Sequence, residues 1–290
     1  MTNIEEVRAS VSLHVYTSLR VGGFAQFFTE PRDAPAASDA LRWAEAEALE
    51  WTCLGGGTNI LFSDTGYAGL VLRLTELRGV AIEGKRVTSA SGELLSHVAK
   101  LACEAGLSGM EWAWGIPGTV GGAVAMNAGT REGETADILV DAESVSRTGA
   151  TRRAARSLGF GYRESAFTRR DLHEVVTEAT FELAASTSDR ALAKAQMLLA
   201  ERARRLPLGA SAGCTFRNPP EGPTAGELLD RAGCKGFRAG DAHVSDAHAN
   251  FIINDGSENG ADILELIESM KRRVKEAFGV DLVEEIVVRP

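Results

Sequence analysis

The stretch LGGGTNILFS, residues 54–63, sets three consecutive glycines between the short apolar run WTCL (51–54) and a second apolar run, with Thr58 and Asn59 directly after the glycines. This reads as a strand feeding a glycine loop. Residues without side chains let several backbone N–H groups converge on one concavity, a geometry that binds phosphate or pyrophosphate without a basic side chain. Taken alone the loop reads more readily as a tight turn between strands. It does not follow the dinucleotide pattern G-x-G-x-x-G, and it lacks the lysine that a P-loop places after its last glycine. A second segment, WGIPGTVGGAVAMNAG (114–129), mixes glycines with Pro117 and the small residues Ala123, Ala125 and Ala128. It cannot pack by its own side chains, so a large flat ligand or a close backbone neighbour is its natural occupant. Two glycine loops sharing one extended ligand point to a dinucleotide, and spacing does not say which.

Working outward, SDALRWAEAEAL reads as a helix capped by Ser38, and the preceding PRDAPAASDA as a surface loop. GLVLRL reads as a strand, and GVAIEG and RVTSAS as two more, joined by a turn at Gly84 and Lys85. GELLSHVAKLACEAG is a helix closed by Gly106, and DILVDAESVS and EVVTEATFEL have strand character. Helices and strands mix here without a regular βαβ repeat. SDRALAKAQMLLAERARRL is a helical connector leading to Pro207, and a domain boundary falls near it. The last third holds a capping box in TAGELLDRAG (Thr224 with Glu227), a strand in ANFIIN, a helix in GADILELIESMKRRVKEAFG and a closing strand in VEEIVV. Ile263, Ile267, Met270, Val274 and Phe278 recur at three- and four-residue steps, which marks a core stripe.

The bulk numbers narrow the function classes. A chain of 290 residues with 44% hydrophobic and 24% charged residues has material for two or three globular domains. A net charge of -9 argues against an electrostatic grip on nucleic acid or anionic lipid, leaving small molecules as the expected partners. No segment has the apolar length of a membrane helix and the amino terminus lacks a signal pattern, so a cytoplasmic protein is expected. Cys53, Cys103, Cys214 and Cys234 show neither paired metal-site spacing nor the density of a disulfide scaffold; no metal is expected. Cys214 itself, in the turn-rich SAGCTFRNPP (211–220), could be a filler, a ligand, half of a disulfide, a nucleophile or an acid.

TSLRVGG (17–23), LGGGTNILFSD (54–64), GIPGTVGGAVAMNAG (115–129), FGYRES (160–165), SAGCTFRNP (211–219), AGCKGFRAGDAHVSDAHANFIIN (232–254) and VEEIVV (283–288) together resemble the UDP-N-acetylenolpyruvoylglucosamine reductases. These are flavoenzymes that reduce the enolpyruvyl ether of a UDP-sugar in peptidoglycan synthesis. The motifs fall in order along nearly the whole chain. The resemblance implies an α+β fold: a two-part FAD-binding region of the type shared with vanillyl-alcohol-oxidase-like flavoproteins, assigned to 1–76 and 77–185, and a carboxy-terminal α+β substrate domain, 186–290. It implies non-covalent FAD, with pyrophosphate on Gly55, Gly56, Gly57, Thr58 and Asn59, and the flavin wrapped by Gly115, Gly118, Thr119, Gly122 and Ala123. Only about 50 residues separate Arg163 from Cys214, so the chain resembles the family's shorter form, without an inserted tyrosine loop.

The implied reaction delivers a hydride from reduced flavin to one carbon of the enolpyruvyl group and a proton to the carbon beside the carboxylate. It needs a cation or donors at that carboxylate and a positioned acid. Arg163 resembles the family arginine that engages the carboxylate, a contact a guanidinium can make in bidentate fashion. Glu285 resembles the family's catalytic glutamate. Adjacent Glu284 and Glu285 point to opposite faces of a strand, and the placing of Leu282 and Ile286 favours Glu285. Tyr162, Arg217, Asn218 and His248 lie in matching motifs as candidates for sugar, diphosphate or carboxylate contacts, while His14 and His243 read as structural. The family usually has a serine at the place of Cys214, acting as proton donor. A thiol, with an ordinary pKa of about 8.5, gives up a proton more readily than an alkyl hydroxyl. The expected cycle is ping-pong, NADPH first and UDP-N-acetylglucosamine enolpyruvate second, with no protein partner required. The alternatives are an FAD-dependent sugar or alcohol oxidase of the same fold and a non-catalytic flavin-binding protein.

Overall fold

A computed structural model describes residues 7–169 and 171–289. The chain forms two compact units that are not contiguous in sequence. The first gathers Met1–Ala9, Phe27–Gly56 and Ala68–Glu201; the second gathers Ser10–Gln26, Gly57–Tyr67 and Arg202–Pro290.

In the first unit one sheet includes the strands Tyr67–Arg73 and Trp51–Leu54 side by side. Trp51–Leu54 runs parallel to Tyr67–Arg73, with Trp51 opposite Leu70. A second, antiparallel sheet is ordered Gly149–Ala154, Leu139–Ser146, Val175–Glu182, Arg86–Ala90, Val80–Glu83. The expected hairpin is there, Gly84 turning it at φ 60°. The helices of this unit include α1 (Ala34–Ala46), α2 (Leu95–Glu104), α3 (Val120–Met126) and most of α4 (Ser188–Arg205). Leu95, Val98, Ala99 and Ala102 of α2 are buried with Val87, Ala179 and Phe181 of the antiparallel sheet. Ala37, Ala40, Leu41 and Ala44 of α1 are buried with Leu70, Leu72 and Val145.

Helix α1 starts four residues before the expected cap, inside the stretch expected to be a loop. Asp33 is the cap: its Oδ1 accepts the Ala36 N–H at 2.7 Å. Pro35 lies in the first turn, where its missing N–H costs nothing. Ser38 is buried within the helix, and its hydroxyl donates to the Ser146 carbonyl at 2.7 Å.

The second unit is built on α5 (Ala225–Arg231), α6 (Gly260–Phe278) and a three-stranded sheet, Arg238–Ala239, Ala242–Val244, Ile252–Asn254. The Thr224–Glu227 capping box forms as expected. Ile263, Ile267, Met270 and Val274 of α6 are buried, whereas Phe278, at the last turn before Gly279 ends the helix at φ 70°, is 41% exposed. Leu19, Val21 and Leu61 are buried in one cluster with Phe216, Leu228, Ile263 and Met270. Those early apolar residues explain why 10–26 and 57–67 belong to this unit: they complete its core. Two expected strands are shorter than their motifs. ANFIIN is extended only over Ile252–Asn254, and the closing strand covers Val287–Arg289, parallel to Ile60–Phe62.

Candidate active site

The first unit holds one end of the glycine loop. Trp51–Leu54 delivers the chain to Gly55, where an added Cβ would lie 2.5 Å from the Thr119 Oγ1. Thr119 caps α3, its hydroxyl accepting the Gly122 N–H at 3.4 Å. Gly115 and Gly118 have φ of 85° and 107°, conformations that need glycine. The Gly115 N–H donates to the Ser96 hydroxyl at 2.8 Å, and the Gly118 carbonyl accepts the Leu95 N–H at 3.1 Å. Gly122 is exposed at the start of α3, while the Ala123 side chain is buried in the unit's core. Any contact Ala123 makes with a ligand is therefore through its backbone.

FGYRES folds back onto the end of this second loop. Gly161 and Glu164 exchange backbone hydrogen bonds at 3.0 and 3.3 Å, leaving Tyr162 and Arg163 at the tip. Arg163 sits at φ 59°, uncommon for a residue with a side chain. Its Nη1 and Nη2 donate to the carbonyls of Asn127 and Gly129 at 3.3 and 2.7 Å, and its guanidinium lies 5.0 Å from the centre of the Tyr162 ring. The Ser165 hydroxyl donates to the Ala125 carbonyl at 2.7 Å. Asn127 was not anticipated as a site residue, although an asparagine just past a helix is a recognisable left-handed cap.

In the second unit the other end of the glycine loop begins at Gly57, whose φ is 66° and whose Cβ would overlap the Tyr16 carbonyl oxygen. Ser18, from the TSLRVGG motif, joins two site loops. Its N–H donates to the Gly57 carbonyl at 2.9 Å, and its hydroxyl donates to the Ser211 carbonyl at 2.6 Å, just ahead of Cys214. Thr58 and Asn59 are half-buried, and the Asn59 amide donates to the Glu285 carbonyl at 3.1 Å.

Cys214 is half-buried and follows Gly213, at φ 77°. The residues after it form a short ladder with the chain's end: the Glu285 N–H donates to the Thr215 carbonyl at 2.8 Å, and Phe216 bridges to Glu284. Buried Asn250 fixes this ladder. Its amide bonds both the N–H and the carbonyl of Phe216, at 2.9 and 2.8 Å, and its own carbonyl accepts the Thr215 N–H at 2.8 Å. The neighbouring acids differ. Glu284 forms an ion pair with Lys271 of α6 at 2.8 Å. Burial would raise its carboxyl pKa, but the hydrogen bond and charge of Lys271 outweigh this and hold it below the usual carboxylate range.

The other candidates divide by role. Tyr162 is 46% exposed. Arg217 is half-buried, its N–H donating to the Val283 carbonyl at 2.9 Å. The Asn218 side chain accepts the Ala225 N–H at 3.1 Å, at the start of α5, so its oxygen serves the fold. His248 Nδ1 accepts the Asn250 N–H at 3.2 Å, a bond that suits the neutral ring, and burial lowers the ring's pKa. Cys103 and Cys234 are buried, with burial pushing the first up to about 11 and the second upward. They are core thiols.

The residues fit a bound FAD. A Cβ at Gly55 would run into the Thr119 hydroxyl and one at Gly57 into the Tyr16 carbonyl, so the loop packs as bare backbone against its neighbours. Ser91 Oγ, beside Gly121, is buried with no hydrogen-bond partner among the described residues. Residues 25–155 match a family model described as an FAD binding domain, and residues 205–289 match the UDP-N-acetylenolpyruvoylglucosamine reductase C-terminal domain. The chain is 39% identical to the UDP-N-acetylenolpyruvoylglucosamine reductase of Synechococcus elongatus over 98% of its own length and 94% of that protein's. It is 37% identical to the enzyme of the same name from Clostridium novyi over 97% of its length and 92% of the relative's. The crystal structure of UDP-N-acetylenolpyruvylglucosamine reductase from Thermus caldophilus superposes with a TM-score of 0.85 at 37% identity, covering 98% of this chain and 99% of that one. The chain belongs to the UDP-N-acetylenolpyruvoylglucosamine reductase family.

Proposed function

We propose that the protein reduces UDP-N-acetylglucosamine enolpyruvate to UDP-N-acetylmuramate with NADPH, for peptidoglycan synthesis. The observation that carries this is the relation to reductases of that name over 97–98% of the chain. FAD, when bound, supplies the two-electron relay between NADPH and the enolpyruvyl double bond. Gly55, Gly56, Gly57, Thr58 and Asn59 hold the pyrophosphate through backbone N–H groups, and Gly115, Gly118, Thr119, Gly122 and Ala123 border the flavin. The sequence boundaries 1–76, 77–185 and 186–290 divide the chain into two FAD-binding parts and a substrate part.

Three side chains carry the chemistry of the second half-reaction. The Arg163 guanidinium takes the substrate carboxylate and stabilises the charge that builds on it. The Cys214 thiol gives its proton to the carbon beside that carboxylate and is reprotonated from water before the next turnover. Glu285 polarises the intermediate. The Lys271 ion pair of Glu284 supports this choice, because it gives the Glu284 carboxylate a structural role on α6. Tyr162, Arg217 and His248 contact the nucleotide-sugar, with neutral His248 as a hydrogen-bond donor through Nε2. Asn218 does so less directly, since its oxygen already serves α5.

A cytoplasmic location belongs to the same proposal. No helix among the described residues is long and apolar enough to cross a membrane, and NADPH and UDP-sugars are cytoplasmic metabolites. Anaerobic single-turnover mixing tests the activity. Protein reduced beforehand should be reoxidised by the enolpyruvyl substrate without oxygen; reoxidation by oxygen alone would favour the oxidase reading.

A further inference from the structure

We propose that Asn127 is the positioning residue for Arg163, setting the guanidinium for the substrate carboxylate; this rests on the role assigned to Arg163 above. Asn127 has no solvent exposure and ends α3 in the left-handed region, at φ 44° and ψ 56°. Glycine is the usual residue at such a cap, so an asparagine there calls for a use of its amide.

Both atoms of the amide are engaged, one to the hairpin that carries Arg163 and one to the short helix Thr135–Ile138. Nδ2 donates to the Gly161 carbonyl at 2.9 Å, holding the base of the hairpin whose tip carries Tyr162 and Arg163. Oδ1 accepts the Ala136 N–H at 2.9 Å, anchoring the other end. The backbone of the same residue completes the arrangement: its carbonyl accepts Arg163 Nη1 at 3.3 Å, and the Gly129 carbonyl takes Nη2 at 2.7 Å. Asn127 thus grips the Arg163 loop at Gly161 through its side chain and the guanidinium through its carbonyl. Arg163 itself is in a sparsely populated conformation, φ 59°, which persists only where surroundings over-determine it. A guanidinium held by carbonyls on a fixed loop reaches the carboxylate without an ordering cost, and loosening it by an ångström loses much of the rate.

The substitutions separate this role from helix capping. Asn127→Asp keeps the left-handed preference and the acceptor for Ala136, but turns a carboxylate oxygen toward the Gly161 carbonyl. Asn127→Gly keeps the backbone conformation and loses both amide bonds. In single turnovers of the FAD-loaded protein, each should slow enolpyruvyl reduction by about tenfold or more, with flavin reduction by NADPH unchanged. By titration calorimetry the Asp variant should bind the enolpyruvyl substrate and UDP-N-acetylglucosamine, which lacks the carboxylate, with similar affinity, whereas the unmodified protein should prefer the former. The double variant Asn127→Asp, Arg163→Lys should be no slower than Arg163→Lys alone. An Asp variant with the normal rate and preference, or losses that multiply in the double variant, would overturn the proposal. Should Asn127→Gly fail to fold, the Asp variant decides. If Arg163→Lys alone turns over normally, the carboxylate role of Arg163 falls and takes this proposal with it, a failure recognisable because it needs no change at Asn127.

Discussion

The side-chain amide of Asn59 donates to the backbone carbonyl of Glu285 at 3.1 Å, and the Asn59 carbonyl accepts the Val287 N–H at 3.0 Å. A residue at the end of the glycine loop is thereby stitched to the segment carrying the proposed catalytic glutamate. Asn59→Ala removes the donor and leaves a half-buried carbonyl to find another partner, at a cost of about 1 kcal/mol. FAD affinity and enolpyruvyl reduction should therefore fall together. Glu285→Gln, which leaves the backbone carbonyl in place, should impair only the second half-reaction. Fluorescence titration of FAD and anaerobic single turnovers on both variants check this; normal FAD binding by Asn59→Ala would break the proposed coupling.

Gly57→Ala should be the most damaging single-methyl change in the glycine loop. Its φ of 66° strains any residue with a side chain, and the added Cβ would overlap a backbone oxygen, that of Tyr16, which cannot swing away. The two effects together should cost at least about 1–3 kcal/mol. Gly55→Ala meets only the Thr119 hydroxyl, part of a side chain that can rotate. Thermal unfolding of the two apo proteins should show the larger loss for Gly57→Ala. Equal melting temperatures would remove the steric argument.

The two acids of VEEIVV should separate by pH. Glu284, depressed by Lys271, stabilises the fold above its unfolded pKa, about 4.3, and that contribution fades as pH falls through the lower folded-state value. Both partners are about one-third exposed, so the pair contributes at most about 1 kcal/mol. Glu284→Gln should lose up to that much at pH 7 and progressively less as the pH falls below about 4, with enolpyruvyl reduction retained. Glu285→Gln should instead lose enolpyruvyl reduction. Denaturant melts at neutral pH and below about pH 4, with turnover at neutral pH, test the pair; a large activity loss in Glu284→Gln would exchange their roles.

Much of this was legible in the sequence because the signals are local. Glycines at 57, 84, 106, 115, 118 and 213 all have positive φ, a conformation that favours glycine, and the Thr224–Glu227 box fixes a helix start by itself. The membership of Leu19, Val21 and Leu61 in the second unit's core was not legible, since burial across nearly the whole chain length leaves no periodicity to read. Asn127 and Asn250 escaped for a related reason: their work is done by amide bonds to loops distant in sequence, at Gly161 and Phe216. The start of α1 was misplaced because Ser38 and Asp33 are both competent caps. Packing of Ser38 against Ser146 decided between them.

Cys214 should be the thiol that matters to turnover. Cys103, pushed up to about 11 by burial and by Glu111, and Cys234, also raised by burial, should be slow to alkylate at pH 8. Half-buried Cys214 and Cys53 should react first, and occupancy by the enolpyruvyl substrate should protect Cys214 alone. If the thiol is the acid, Cys214→Ala should leave NADPH-driven flavin reduction intact and slow enolpyruvyl reduction by at least about 10²-fold, the usual contribution of a positioned acid. Cys214→Ser should retain far more activity than Ala, because the hydroxyl restores a group that can donate from the same Cβ. A cysteine kept for packing would predict the reverse order, with alanine near normal and the thermal stability of both variants reduced. An alanine variant that reduces substrate at the unmodified rate would remove the thiol from the mechanism and leave water oriented by Glu285 as the proton source.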